Sequence, residues 1–159
     1  MGTILVTGGA GFIGSHTCLL LLKKGYKIVV LDSLINSSKI SLERVSKIVY
    51  KKVDRERIKL INGDIRDNNL LENIFSEAKF KKDNISGVIH FAGLKAVEQS
   101  IKYPLEYWDN NVYGSINLLK IMDKYNCKTI VFSSSATVYE KTINNSNLDE
   151  NARLLPYNP

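Results

Sequence analysis

Short apolar runs rich in β-branched residues alternate along this chain with longer stretches whose apolar positions recur at helical spacing. "TILVT" (3–7), "KIVVLD" (27–32), "RIKLING" (57–63), "GVIHFAG" (87–93) and "KTIVFSS" (128–134) have the length and composition of strands. Between them lie predicted helices. The first covers 13–25, with Gly25 placed to cap its end, and the second covers about 39–52, with Ile40, Val45, Ile48 and Val49 near one face. The third covers 67–80, where Leu70, Leu71, Ile74, Phe75 and Ala78 form an apolar stripe. A fourth, long helix runs from Pro104, tolerated in a first turn because its missing N–H is not needed there, to about Lys124.

Strands that are nearly continuous in apolar residues, each followed by a helix, imply a parallel sheet covered on both faces, because crossover connections place the helices there. The expected fold is therefore α/β, a doubly wound parallel sheet of Rossmann type. In such a sheet ligands bind beyond the carboxyl ends of the strands, so the loops that follow each strand are where function should lie. The 159 residues suit one domain, spanning 1–159.

The loop after the first strand carries "TGGAGFIGSH", with Gly8, Gly11 and Gly14 spaced G-x-x-G-x-x-G between a strand and a helix. Gly8 permits a tight turn, Gly11 lets the main chain approach a diphosphate, and Gly14 lets the helix lie close to the strand. The helix start offers unpaired N–H donors and a positive partial charge to the phosphates. Asp32 ends the second strand, eighteen residues beyond Gly14. A carboxylate there accepts hydrogen bonds from adenosine ribose hydroxyls and repels a 2′-phosphate, which favours NAD over NADP.

Longer stretches narrow the reading. "TGGAGFIGSHT", "INGDIRD" (61–67), "VIHFAGLKAVEQSIKYPLEYWDNNVYG" (88–114) and "VFSSSATVYE" (131–140) resemble the extended short-chain dehydrogenase/reductases, and among them the UDP-glucose 4-epimerases, over essentially the whole chain. The resemblance implies an NAD-dependent isomerase that inverts C4 of a UDP-hexose through a transient 4-keto intermediate. It implies cofactor contacts from Gly8, Gly11, Phe12, Ile13 and Gly14, from Asp32, Ser33, Asn36 and Ser37, and from Asp64 and Ile65 flanking the adenine. Phe91, Ala92, Gly93 and Lys95 would meet it after the fourth strand, Asn110 from the long helix, and Ser133 with Ser134 after the fifth. Ser135 stands at the position of the family's catalytic serine.

In that family a tyrosine in Y-x-x-x-K takes the proton of the sugar's 4-hydroxyl, aided by the lysine, which lowers the phenol's pKa. The chain closes on "LLPYNP". The resemblance puts that tyrosine at position 160, leaving Tyr157 a bystander; the other reading of Tyr157, as the catalytic residue itself, needs a lysine at position 161. The expectation is an N-terminal part of an epimerase, without its substrate domain and inactive alone. Glu140 and Tyr113 depart from the family, which usually has glycine and often asparagine there.

Composition changes this picture little. With 44% hydrophobic and 24% charged residues the chain has ordinary globular make-up, and no apolar run suggests a membrane span. The net charge of +6 comes from scattered lysines, read as a solvated surface and not as a nucleic-acid site. Cys18 and Cys127 lack metal-ligand spacing and are expected to be buried and reduced; no metal is expected, and the absence of a leader points to the cytoplasm. His90, inside a strand, reads as a core residue and not as a base, and His16 as a packing or surface residue. Tyr107, Trp108 and Tyr113 form either aromatic core or the dimer face of a homodimer. Two other functions remain open: a related nucleotide-sugar epimerase or 4,6-dehydratase, against which "SATVY" supplies no acid after the serine, and a non-catalytic NAD-binding module.

Overall fold

Strands β1 (Thr3–Thr7), β2 (Lys27–Asp32), β3 (Ile58–Asn62), β4 (Ile85–His90) and β5 (Ile130–Phe132) form one sheet in the order β3-β2-β1-β4-β5. All pairs are parallel. The computed structural model describes residues 2–49, 57–140 and 148–159. The chain winds outward from β1 to β3, then returns to place β4 on the other side of β1. The strand order therefore reverses between β1 and β4, which is where such sheets open a crevice.

Successive side chains of a strand point to opposite faces, and this divides the core in two. Leu5, Leu31 and Val88 face one layer, which buries Leu71, Ile74 and Phe75 of α3 (Asn68–Phe80) and Leu118, Ile121 and Met122 of α6 (Gly114–Lys124). Val6, Ile28 and Val30 face the other layer, with Cys18 and Leu22 of α1 (Phe12–Lys23) and Leu42, Val45 and Val49 of α2 (Ile40–Val49). Leu5, Leu71 and Leu118 are wholly buried, so truncating any of them to alanine costs about 3 kcal/mol.

Local signals explain the helix boundaries. At the end of α1, Gly25 takes a positive φ of 90°, and Gly25 N–H and Tyr26 N–H bond back to the carbonyls of Leu22 and Leu21. At the start of α3, the Asp67 carboxylate accepts from Leu70 N–H at 2.9 Å.

Several elements differ from expectation. Ile40 and Ile48 are exposed, and α2 packs against the layer of Cys18 and Leu22 through Leu42, Val45 and Val49. Positions 50–52 of the predicted helix lie outside the described residues. β4 ends at His90, since Phe91 N–H bonds to Thr7 carbonyl and the chain then turns out of the sheet. The long helix from Pro104 is broken into α5 (Pro104–Tyr107), a π-helical turn (Trp108–Tyr113) and α6, preceded by an unexpected α4 (Val97–Lys102). Tyr103, with φ −129° and ψ 60°, separates α4 from α5, outside the helical region that the ring of a following proline disfavours.

Candidate functional site

The loops at the carboxyl edge converge where β1 and β4 separate. Gly8 has a positive φ of 67°, and a Cβ there would lie 2.7 Å from Ala92 N and Phe91 C, so the glycine turn is pressed against the loop after β4. A Cβ on Gly14 would lie 2.4 Å from Gly8 carbonyl oxygen, so the first turn of α1 lies directly on the loop. Gly11 differs: a Cβ there would meet only that same oxygen, at 3.3 Å. Packing within the chain does not demand a glycine at 11, whereas a ligand drawn close to the main chain would.

The start of α1 is open for an anion. Ser15 N–H makes the first helical bond, to Gly11 carbonyl, so the N–H groups of Phe12, Ile13 and Gly14 precede the ladder. No side chain caps this end and no acid occupies the first turn. Phe12 and Ile13 are exposed beside it. These features fit a diphosphate held by main-chain donors and the helix dipole.

Asp32 is only 7% exposed. Oδ2 accepts from Ala10 N–H at 2.8 Å, and Oδ1 accepts from Leu34 N–H at 2.9 Å and the Ser37 hydroxyl at 2.7 Å. A carboxylate offers about four acceptor positions, so three of them are taken and one remains on Oδ2. The expectation that both ribose hydroxyls bond to Asp32 therefore requires Ser37 to yield its place. Ser33 and Asn36, in the same loop, are exposed.

After β3, Asp64 is partly exposed and is held by Arg66, whose guanidinium keeps its carboxyl below the usual carboxylate range. Ile65 is buried in the core, so its aliphatic chain has little surface left to pack on a ring. That departs from the role expected of it, and the reason is topological. Ile65 faces inward beneath α6, where Asn117 Nδ2 donates to its carbonyl at 3.2 Å.

After β4, Phe91 and Ala92 are half-buried, whereas Gly93 and Lys95 are exposed. This loop is held by a residue that sequence reasoning missed. Asn111 accepts from Leu94 N–H at 2.8 Å and donates to Leu94 carbonyl at 2.9 Å, while Asn110 Nδ2 donates to Asn111 Oδ1 at 2.8 Å. Both asparagines lie in the π-helical turn, a feature often found at functional sites. The only sequence signal was the doublet "NN" itself.

A buried polar chain lies beneath these loops. Ala92 N–H donates to Thr7 Oγ1 at 3.4 Å, and Thr7 Oγ1 lies 2.6 Å from His90 Nδ1. His90 Nε2 lies 2.9 Å from Ser115 Oγ, which donates to Asn111 carbonyl. With that serine proton committed, His90 donates from Nε2, and in a neutral ring Nδ1 then accepts from the Thr7 hydroxyl. Burial pushes its pKa down to about 4, in keeping with a neutral core histidine. His16 is instead a surface residue, its Nδ1 2.8 Å from Phe12 carbonyl.

After β5, Ser133, Ser134 and Ser135 are exposed. Ser133 N–H bonds to His90 carbonyl at 3.2 Å, which brings this loop beside β4. Ser135 Oγ accepts from Thr137 N–H at 3.2 Å and lies 2.7 Å from Thr137 Oγ1. The next stretch pairs with the last described segment, through Glu140 N–H to Arg153 carbonyl and Leu155 N–H to Val138 carbonyl. Asn158 Nδ2 reaches Ser100 Oγ at 3.0 Å, and Tyr157 is about half exposed.

Burial pushes the Cys18 thiol up to about 12, with the charge of Asp32 adding to the effect, and both cysteines are buried and unpaired. Among the described residues no group of three or more His, Cys, Asp or Glu side chains is arranged to hold a metal. Tyr107 is core, its hydroxyl donating to Ala96 carbonyl at 2.8 Å, whereas Trp108 and Tyr113 are exposed.

Comparison with known proteins agrees with this geometry. The chain is 55% identical over 137 residues to UDP-glucose 4-epimerase of Yersinia enterocolitica, covering 86% of this chain and 38% of that protein. It is 51% identical over 138 residues to UDP-glucose 4-epimerase uge1 of Schizosaccharomyces pombe, covering 87% of this chain and 36% of that protein. The chain thus spans well under half the length of these curated relatives. The solved UDP-glucose 4-epimerase of Bifidobacterium longum, in complex with NAD+ and UDP, superposes with a TM-score of 0.79 at 47% identity, over 96% of this chain and 42% of that one. Residues 5–159 match the family described as GDP-mannose 4,6 dehydratase, and the chain belongs to that family.

Proposed function

We propose that this chain is the NAD-binding domain of an enzyme that epimerises C4 of a UDP-hexose, interconverting UDP-glucose and UDP-galactose. The observation that carries the reading is the uncapped start of α1, set on a glycine turn that is pressed against the β4 loop at the strand-order reversal. The names of the relatives supply the substrate class.

In this reading the N–H groups of Phe12, Ile13 and Gly14, with Gly8 and Gly11, bind the diphosphate. Asp32, Ser33, Asn36 and Ser37 surround the adenosine ribose, and Asp64 meets the adenine. Phe91, Ala92, Gly93, Lys95, Asn110 and Ser133 face the nicotinamide half. The bound cofactor supplies a hydride acceptor that also returns the hydride. Ser135 presents its hydroxyl to the sugar oxygen at C4 and holds the proton there, in concert with the Y-x-x-x-K tyrosine that the resemblance implies.

The exposed stripe of Leu105, Trp108, Val112, Tyr113, Ile116 and Leu119 on α5, the π-helical turn and α6 supports a homodimer through this face. Among the described residues no helix is long and apolar enough to cross a membrane. We place the enzyme in the cytoplasm, where two unpaired cysteines are at home. The family's description raises a 4,6-dehydratase as a second reading. Against it, "SATVY" brings no acid beside Ser135, and Glu140 instead faces Arg153 at 3.8 Å.

The test is turnover by the intact protein. Formation of UDP-galactose from UDP-glucose, reduced at least a hundredfold in Ser135→Ala with NAD affinity unchanged, is the expected result. Loss of water to a 4-keto-6-deoxy sugar would establish the second reading, and no binding of NAD would overturn both.

A further inference from the structure

The carboxylate of Asp64 takes three N–H donors from a single residue. Arg66 bonds to Oδ1 through its main-chain N at 2.8 Å and its Nε at 3.0 Å, and to Oδ2 through Nη2 at 2.6 Å. Its remaining terminal nitrogen, Nη1, donates to Asp109 Oδ2 at 2.6 Å. Asp109 lies in the π-helical turn, beside Asn110. One arginine therefore ties the loop after β3 to the turn that carries the asparagine pair.

The planar guanidinium grips both carboxylate oxygens at once, so it sets the plane of the group as well as its position. Of the carboxylate's roughly four acceptor positions, two on Oδ1 and one on Oδ2 are occupied, which leaves one on Oδ2. Arg66 also keeps the group ionised, and an ionised carboxylate accepts hydrogen bonds but donates none. Such a position welcomes an amino group and repels a carbonyl oxygen.

We propose that Arg66 is a positioning residue that aims the one open acceptor of Asp64, making this loop selective for a 6-amino over a 6-oxo purine. The inference rests on the reading that the loop after β3 faces the adenine of NAD. Lysine cannot replace Arg66, because a point charge on a flexible stem fixes neither the plane nor the open position. Asp109 steadies the outer edge of the fork, so its effect is smaller.

Calorimetric titration of the intact protein with NAD and with nicotinamide hypoxanthine dinucleotide, its 6-oxo analogue, provides the test. The unmodified protein is expected to prefer NAD by roughly tenfold, the worth of one hydrogen bond to a charged group. Asp64→Asn and Arg66→Met should each bring the ratio close to one, and Asp109→Asn should reduce it by about half. If Asp64→Asn removes the preference while Arg66→Met keeps it, or if Arg66→Met weakens both dinucleotides equally, the inference falls and the reading of the loop stands. If the unmodified protein shows no preference, the reading falls and takes the inference with it. Should Arg66→Met fail to fold, Arg66→Lys decides: it keeps the charge without the fork, and retention of the full preference would overturn the proposal.

Discussion

The loop after β1 and the loop after β5 carry equally recognisable motifs, yet the protein treats them differently. Around the glycine turn, Thr7 is wholly buried, Asp32 is locked by three donors, and Gly8 and Gly14 have no room for a side chain. On the serine side, Val131 is 58% and Phe132 61% exposed, and among the described residues Ser135 bonds to its near neighbour Thr137. Among the described residues β5 pairs with β4 on one side. The glycine turn is a structural keystone whose geometry also suits a ligand. Among the described residues the serine loop is held by local bonds and a short ladder with residues 153–155, and its hydroxyls are less committed than the carboxylate of Asp32.

That contrast can be broken most severely at Gly14. Gly14→Val places a Cβ 2.4 Å from a fixed carbonyl oxygen, with main chain behind it. It is expected to cost about 4 kcal/mol in urea unfolding and to abolish NAD binding. A loss below about 1 kcal/mol would mean that the turn is slack and the contrast false.

Next comes acid. His90 is folded neutral with its pKa lowered from 6.5 to about 4, so above about pH 6.5 neither the folded nor the unfolded chain carries its proton. Between about 6.5 and 4 the unfolded chain takes up a proton that the folded form refuses, and stability falls as pH drops. At about 1.4 kcal/mol per unit the full effect is about 3 kcal/mol. His90→Gln keeps a donor and an acceptor without titrating, so its urea midpoint should be less sensitive to pH across that window. Parallel pH profiles for the two proteins would show that the polar chain beneath the loops tolerates a charge.

Asp32→Asn should have an intermediate effect. The amide retains one acceptor oxygen where two oxygens now serve three donors, at a cost of about 2 kcal/mol. Removing the negative charge should also narrow the preference for NAD over NADP. Titration with the two dinucleotides measures this, and an unchanged ratio would show that some other group discriminates.

The smallest expected change is in Ser135→Ala, less than about 0.5 kcal/mol in unfolding, because an exposed hydroxyl with a local partner contributes little. Together with a large loss of turnover, this would sharpen the comparison: stability concentrated on one side of the crevice, chemistry on the other.

The parts of the site legible in the amino-acid order were those whose demands are local. Gly8 announces a turn that few other residues can make, and Gly25 ends α1 through two main-chain bonds. The alternation of apolar strands and amphipathic helices specified a doubly wound sheet, since each segment must bury its own apolar face. The "SSSATVY" loop was visible from its place after a strand. Each of these can be read within about ten residues.

What the tertiary structure decided were relations between distant residues. Nothing in "NNVYG" foretells that Asn111 will hold Leu94 by both main-chain groups, or that a π-helical turn will interrupt an apparently continuous helix. Ile65 looked available to a ring, but the return of the chain under α6 buried it. The fork of Arg66 reaches Asp109 across forty-three positions, and Thr7 meets His90 across eighty-three. Hydrogen bonds are short and directional, so such pairs exist only once folding has placed both partners within about 3 Å, and no periodicity along the chain records that distance.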